Sequence, residues 1–189
     1  MQKVRAMPVS EAEYERIALE DLDGRWELVG GYLRRKPIMT TQHNEAQVRL
    51  AIQLTQQLDL SAYTWRLDNS RAARRPTSFY IPDLFVVPAE YVARRLEGEP
   101  RLEVFDEPLP LVVEVWSRST GKYDVDSKLP MYRQRGDLEV WRIHPTRKTL
   151  TAWRREPDGT YTETVYTGGT IEPVALPGVV IDIDKLFAP

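Results

Sequence analysis

The polar and apolar positions of the chain fall into blocks that predict an α+β fold. Ser10 can cap a helix, Glu13 completes a Ser-x-x-Glu box, and Val9 can staple onto Tyr14. A first helix is therefore expected to about Glu20, with a break over residues 21–24. Two short strands follow, Trp26–Val29 and Tyr32–Arg35, and Gly30-Gly31 between them suits a tight turn that needs positive φ at both positions. Thr40 or Thr41 opens a second helix through about Leu58, in which Gln47, Ala51, Leu54 and Leu58 share a face at helical spacing. Tyr63–Leu67 reads as a strand, the stretch holding Arg71, Arg74 and Arg75 as a loop, and residues 84–87 as a short core strand. Residues 90–107 are charged and read as a surface excursion.

Residues 111–116 are apolar at nearly every position, the mark of a strand buried on both faces. A helix over about 126–135 should end at Gly136, and Pro130 within it requires either a first-turn position or a kink. Strands at 139–143, 149–154 and Tyr161–Tyr166, with Pro157-Asp158-Gly159 as a turn, lead to a last strand at 179–183. The order predicts one α+β domain over 1–189: a mixed sheet core flanked by helices, with a C-terminal β meander as an extension at about 139–183.

Composition narrows the classes. With 189 residues, 42% hydrophobic and 29% charged, the chain can bury a core of ordinary globular kind. Its longest apolar stretch, residues 109–116, contains Pro110 and Glu114 and is far too short to span a bilayer, so no membrane is expected. Charges recur from Lys3 onward without an apolar leader, and a cytoplasmic location is the default expectation. Zero cysteines exclude disulfides and thiolate ligands, and two histidines make a structural zinc site improbable. A net charge of −2 argues mildly against non-specific coating of nucleic acid but says little of a local groove. No Walker loop, dinucleotide fingerprint or nucleophile elbow is present; Ser117 and Ser119 follow a strand without the glycine pattern of a serine hydrolase. The tryptophans at 65, 116, 141 and 153 lie on strand-like segments and are expected in the core.

Two acids carry the candidate chemistry. Glu114 lies inside the buried strand, where a carboxylate is costly unless a cation or a proton neutralises it. Its plainer reading is an ion pair with one of the 20 arginines. Asp83, after Pro82, sits at the mouth of the strand at 84–87, 31 residues before Glu114. On adjacent strands the two carboxylates can converge, and their repulsion makes a divalent ion the natural third partner, with oxygen-only ligation favouring Mg²⁺ or Mn²⁺ over zinc. Convergence is required: acids far apart, or each consumed by its own guanidinium, would not hold such an ion. If the acids exist for a metal, neutralising Asp83 should leave the metal-free protein at least as stable.

The run Trp26-Glu27-Leu28-Val29-Gly30-Gly31, then His43, Pro82-Asp83, Leu111-Val112-Val113-Glu114-Val115-Trp116-Ser117, Lys128, Tyr132, Gly136 and Glu139-Val140-Trp141 resembles the Uma2 family of restriction-endonuclease-like proteins. The likeness spans roughly residues 8–187. It implies the PD-(D/E)xK nuclease fold, with Asp83 and Glu114 as the motif's acids and the Val115 carbonyl as a further metal ligand. It also implies site positions at Glu27, His43 and Lys128, Mg²⁺ (or Mn²⁺) as cofactor, hydrolysis of phosphodiester bonds in DNA, and a homodimer. Arg71, Arg74 and Arg75 are candidate phosphate contacts. Two features depart from the pattern. Trp116 holds the place of the motif lysine, for which Lys128 is the candidate replacement, and the hairpin tip lacks the family's two acids. Trp116 in that slot gives weight to an alternative, a catalytically inactive nuclease-fold module for nucleic-acid binding or oligomerisation. A two-carboxylate glycosidase is a weaker rival, predicting sugar-stacking aromatics and no need for metal.

Overall fold

The computed structural model describes residues 7–21, 23–96 and 101–188. Helix α1 (Glu11–Glu20) starts where Ser10 accepts the Glu13 amide at 3.2 Å, and Val9 packs in the same small core as Tyr14. The hairpin β1 (Trp26–Val29) and β2 (Tyr32–Arg35) turns through Gly30 and Gly31 at φ 56° and 87°, the left-handed conformation that glycine adopts without a Cβ penalty. Helix α2 (Thr41–Gln57) is capped by Thr40 and buries Ala46, Leu50, Ala51 and Leu54.

Strand β3 (Tyr63–Leu67) is followed by β4 (Arg71–Arg74), so the stretch expected as an arginine loop is a strand in its first part. After β5 (Ser78–Tyr80) and β6 (Leu84–Pro88), the supposed surface excursion contains helix α3 (Ala89–Arg95) and the short β7 (Val104–Phe105), residues 97–100 of it lying outside the described residues. Strand β8 (Leu111–Val115) is buried throughout. The helix expected to open near residue 126 begins earlier, as α4 (Gly121–Tyr123), a π turn (Asp124–Lys128) and α5 (Leu129–Arg135). Pro130 falls in the first turn of α5, where its missing amide has no helical acceptor, and Gly136 ends the helix at φ 80°. Strands β9 (Glu139–His144), β10 (Thr149–Arg155) and β11 (Tyr161–Tyr166) form the meander, and β12 (Thr170–Ile171), β13 (Ile181–Asp182) and α6 (Ile183–Leu186) close the fold.

The expected mixed-sheet core is present as two mixed sheets. One runs β2-β1-β5-β4-β7 and the other β11-β10-β9-β8-β6-β3, with parallel pairs at β4–β7 and β8–β9. The meander continues the sheet that carries Glu114. Alternation along β8 sends Leu111, Val113 and Val115 into a core with α2, and Val112 into a second core with α5. Along β6, Leu84 and Val86 join the first core, Phe85 and Val87 the second. Arg135 braces the second core to the other sheet, donating to the Phe105 and Glu107 carbonyls at 2.9 and 2.6 Å while pairing with Asp137 at 3.0 Å. Burying an aliphatic side chain of this kind contributes roughly 1.5–3 kcal/mol, the scale against which an acid in the same strand must be weighed. Trp141 and Trp153 are core as expected; Trp65 and Trp116 are only half-buried.

Candidate active site

Alternation puts Asp83 on the same face as Phe85 and Val87, and Glu114 on the same face as Val112. Because Leu84 pairs with Val113 across β6 and β8, the next step of the register sets Asp83 against Glu114. Both carboxylates are buried, at 2% and 3% exposure. The two residues therefore stand opposite each other across β6 and β8, and Asp83 acts electrostatically on Glu114. Neither acid is consumed by a guanidinium; each instead holds an ammonium.

Lys36, just beyond β2, reaches Asp83 Oδ1 at 2.7 Å. The other oxygen, Oδ2, receives the Val115 amide at 2.6 Å and lies 2.9 Å from His43 Nε2. Lys128 Nζ donates to Glu114 Oε1 and Oε2 at 3.0 and 3.1 Å, and the Tyr132 hydroxyl donates to Oε1 at 2.5 Å. The π turn ends at Lys128, and Tyr132 follows one helical turn later, so both side chains face β8. Lys128 thus brings an ammonium to Glu114 from the helix, while position 116 holds a tryptophan. Glu27 joins them from β1: Oε1 accepts the Ile81 amide at 2.9 Å and lies 3.2 Å from Lys128 Nζ, while Oε2 accepts the Tyr123 hydroxyl at 3.0 Å. Gln47 binds the Asp83 carbonyl and also Asp68 at 3.0 Å, tying α2 to the acid's own backbone.

Burial raises the Glu114 carboxyl well above the usual carboxylate range, against the pull of Lys128 and with the help of Asp83 and Asp124. Burial opposes the charge on Lys128, but Glu114, Glu27, Asp124 and Asp83 outweigh it and lift the ammonium well above ordinary lysine. Both shifts mark a pocket with surplus negative charge that holds its protons. Asp83 is the exception: burial raises it, yet Lys36 and His43 together leave it far below the usual range. Desolvation carries Tyr132 and Tyr123 upward, so both stay neutral donors.

The other site candidates divide. Among the proposed phosphate contacts, Arg71 is 4% exposed and its Nε donates to the Tyr14 hydroxyl at 3.2 Å, so it is a structural brace and no surface contact. Arg75 is exposed but pairs with Glu11 and, at 3.3 Å, with Asp106; Arg74 is exposed. Val115 meets Asp83 through its amide. Trp116, in the motif lysine's slot, stacks on His144 with centroids 4.1 Å apart and planes at 12°. Sequence reading missed Lys36 and Asp124. Lys36 ends an ordinary-looking hairpin strand, and nothing local signals its reach to a residue 47 positions away. Asp124 is 4% exposed, its carboxylate has no well-formed hydrogen bond although the Thr120 side chain lies beside it, and burial pushes its pKa up to about 6 against the pull of Lys128 and Thr120. Among the described residues, no group of three or more His, Asp or Glu side chains is arranged to hold a metal ion, and no helix is long and apolar enough to cross a membrane.

A model of the Uma2 family, described as "Putative restriction endonuclease", matches residues 11–184. Four chains among solved structures match. One is a crystal structure of "a putative nuclease belonging to DUF820" from Anabaena variabilis ATCC 29413, with 17% identity and a TM-score of 0.77 over 95% of this chain and 98% of that chain. At such identity the likeness is one of fold. No curated protein matches.

Proposed function

The chain belongs to the Uma2 family, and from that footing we propose that it is a Mg²⁺- or Mn²⁺-dependent endonuclease that hydrolyses phosphodiester bonds in DNA. The observation that carries the reading is the meeting of Asp83, Glu114 and the Lys128 ammonium across β6, β8 and the π turn, although the lysine comes from outside the usual motif. The donor chemistry suits a hard cation held by two carboxylates and a backbone carbonyl, not by a cluster of three acids. All the acids are oxygen donors, and Glu27, Asp83, Glu114 and Asp124 face only two buried ammoniums, Lys36 and Lys128. Asp83, Glu114 and the Val115 carbonyl are the motif positions that would hold the ion; it would acidify a water and polarise a phosphoryl oxygen.

The protein's own groups supply the rest. Lys128, charged throughout the neutral range, offsets negative charge developing on the phosphate and cannot serve as a base. Tyr132 fixes the rotamer of Glu114 through its short hydrogen bond, and Glu27 fixes the Ile81 amide beside it. His43 and the Val115 amide hold Asp83 in one orientation. Arg74 remains as an exposed candidate for a phosphate, and a homodimer would bring two such sites to a duplex.

The lysine clamps on both acids favour a second reading, a nuclease-fold module without catalysis. Supercoiled plasmid incubated with the protein and Mn²⁺ separates the two. Nicking that EDTA and Glu114→Gln both abolish supports the enzyme, whereas intact plasmid in a protein that binds Mn²⁺ supports the module.

A further inference from the structure

Basic side chains gather where β8 and β9 leave their sheet. Trp116, just past β8, donates its amide to the Ile143 carbonyl at 2.7 Å and stacks on His144, so the loop at 116–122 lies against the end of β9. Arg142 ties the two segments together by donating to the Gly121 carbonyl at 3.2 Å. The turn after β9 folds back onto the same place, with the Arg147 amide donating to His144 Nδ1 at 3.2 Å. Arg118, Lys122, Arg142, Arg147 and Lys148 therefore stand on two adjoining segments, and all but Arg142 are exposed. Among the described residues none of the five forms an ion pair, whereas Arg66, Arg75, Arg94 and Arg95 each hold a carboxylate. Burial, Arg147 and Arg142 together lower the His144 imidazole below its ordinary value, so the stack adds an aromatic base and no further charge. Like charges gathered in this way repel one another, a strain that an outside anion relieves.

This basic ridge has a firm footing. The Ser117 hydroxyl lies 3.0 Å from that of Ser119 and 2.9 Å from that of Thr120, and the Gly121 amide closes on the Ser117 carbonyl at 2.9 Å. The ridge also adjoins the acidic pocket: Glu114 stands opposite Arg142 in the β8–β9 register, two residues before Trp116. Buried acids repel a phosphate chain, so it can approach Glu114 only where cations outweigh them. The arginine stretch expected for that task is largely spent, since Arg71 is buried and Arg75 is paired with Glu11.

We infer that Arg118, Lys122, Arg142, Arg147 and Lys148 form the track that takes the sugar-phosphate backbone of duplex DNA, leading one strand past Trp116 to Glu114. The choice of DNA rests on the nuclease reading above; the track itself rests on unpaired charge beside the acids. Contacts of this kind position a strand without reading its sequence. Each displaces counterions from the duplex, so binding must weaken as salt rises.

Fluorescence anisotropy of a labelled DNA duplex with the full chain, in EDTA so that no cleavage follows, tests the track across a range of salt. Arg118→Gln/Arg147→Gln/Lys148→Gln, all at exposed positions, should bind at least roughly 10-fold more weakly than wild type near about 0.1 M salt. Its slope of log affinity against log salt should be shallower by about 3. Arg16→Gln/Arg94→Gln/Lys185→Gln, which removes as much charge from α1, α3 and α6, should keep the wild-type affinity and slope. A ridge variant that binds as wild type does, or a control that loses as much, overturns the inference and leaves the nuclease reading standing. Wild type that binds the duplex through the ridge yet leaves plasmid intact in Mn²⁺ overturns the nuclease reading and leaves the inference standing.

Discussion

Lys36 and Lys128 meet at one acceptor: both ammoniums donate to the Ile81 carbonyl, at 2.9 and 3.2 Å. Two like charges gather there only because each also holds a carboxylate, Asp83 for Lys36 and Glu114 for Lys128. The Ile81-Pro82-Asp83 corner is thus the hinge of the whole cluster. Its backbone serves the lysines and Glu27, while its acid closes on β8.

This changes what neutralising Asp83 should do. Had the acid been unpaired, its loss would relieve repulsion; paired with Lys36, its folded pKa is depressed and the pair contributes stability. For a depressed acid, that stability is present above the unfolded pKa of about 4 and is lost as pH falls through the folded value. Removing one partner of a buried pair typically costs about 3–5 kcal/mol. Lys36→Met should therefore be about 3 kcal/mol or more less stable than wild type in urea at pH 7, with the gap narrowing toward pH 3. Equal stability at pH 7 would show that the Lys36–Asp83 contact carries no weight.

Lys128 offers a separate measurement. Its ammonium is shared by Glu114 and Glu27, so Lys128→Met strands two buried acids, and adding Glu114→Gln removes one of them. The double variant should be more stable than the sum of the two single losses implies, by about 1–3 kcal/mol in a double-mutant cycle. Strict additivity would mean that the two side chains do not interact in solution.

How much of this was legible in the sequence follows from where each signal lies. The caps at Ser10 and Thr40, the Gly30-Gly31 turn and the apolar run around Glu114 are local patterns, and each formed where expected. Asp83 and Glu114 were readable because a charge inside or beside an apolar strand is anomalous. Arg71 misled because an arginine-bearing stretch looks solvated, whereas its guanidinium finds acceptors at Tyr14 and Asn69 inside the fold. Lys36 and Asp124 carried no local anomaly: each sits among polar neighbours, and only tertiary packing buries it. The π turn was equally silent, since its extra residue is fitted by packing and not by propensity.

Gly121 presses on the residue in the missing lysine's place. A Cβ built on it would lie 2.0 Å from Trp116 Nε1 and 2.5 Å from Cδ1, so a side chain must push the indole off His144. Overpacking of this kind costs about 1–3 kcal/mol. Gly121→Ala should lower stability by that amount and alter the tryptophan fluorescence. An unchanged spectrum and melting curve would mean that the stacked pair is not maintained in solution.

Asp124 makes the sharpest demand on pH. Burial is the largest influence on it, and its folded pKa of about 6 lies above the ordinary aspartate value of 3.8. For an acid raised in this way the sign is the reverse of Asp83: the folded state binds the proton more tightly, so stability is greatest below the unfolded pKa and is lost as pH rises through the folded one. The difference between the two values corresponds to about 3 kcal/mol at pH 7.5. Asp124→Asn has no charge to bury, so in EDTA it should be about 2–3 kcal/mol more stable than wild type at pH 7.5, with the advantage gone at pH 4. If the carboxylate instead pairs with Arg142 in solution, the substitution would destabilise the protein at pH 7.5, and denaturant titrations at the two pH values would show the opposite ordering.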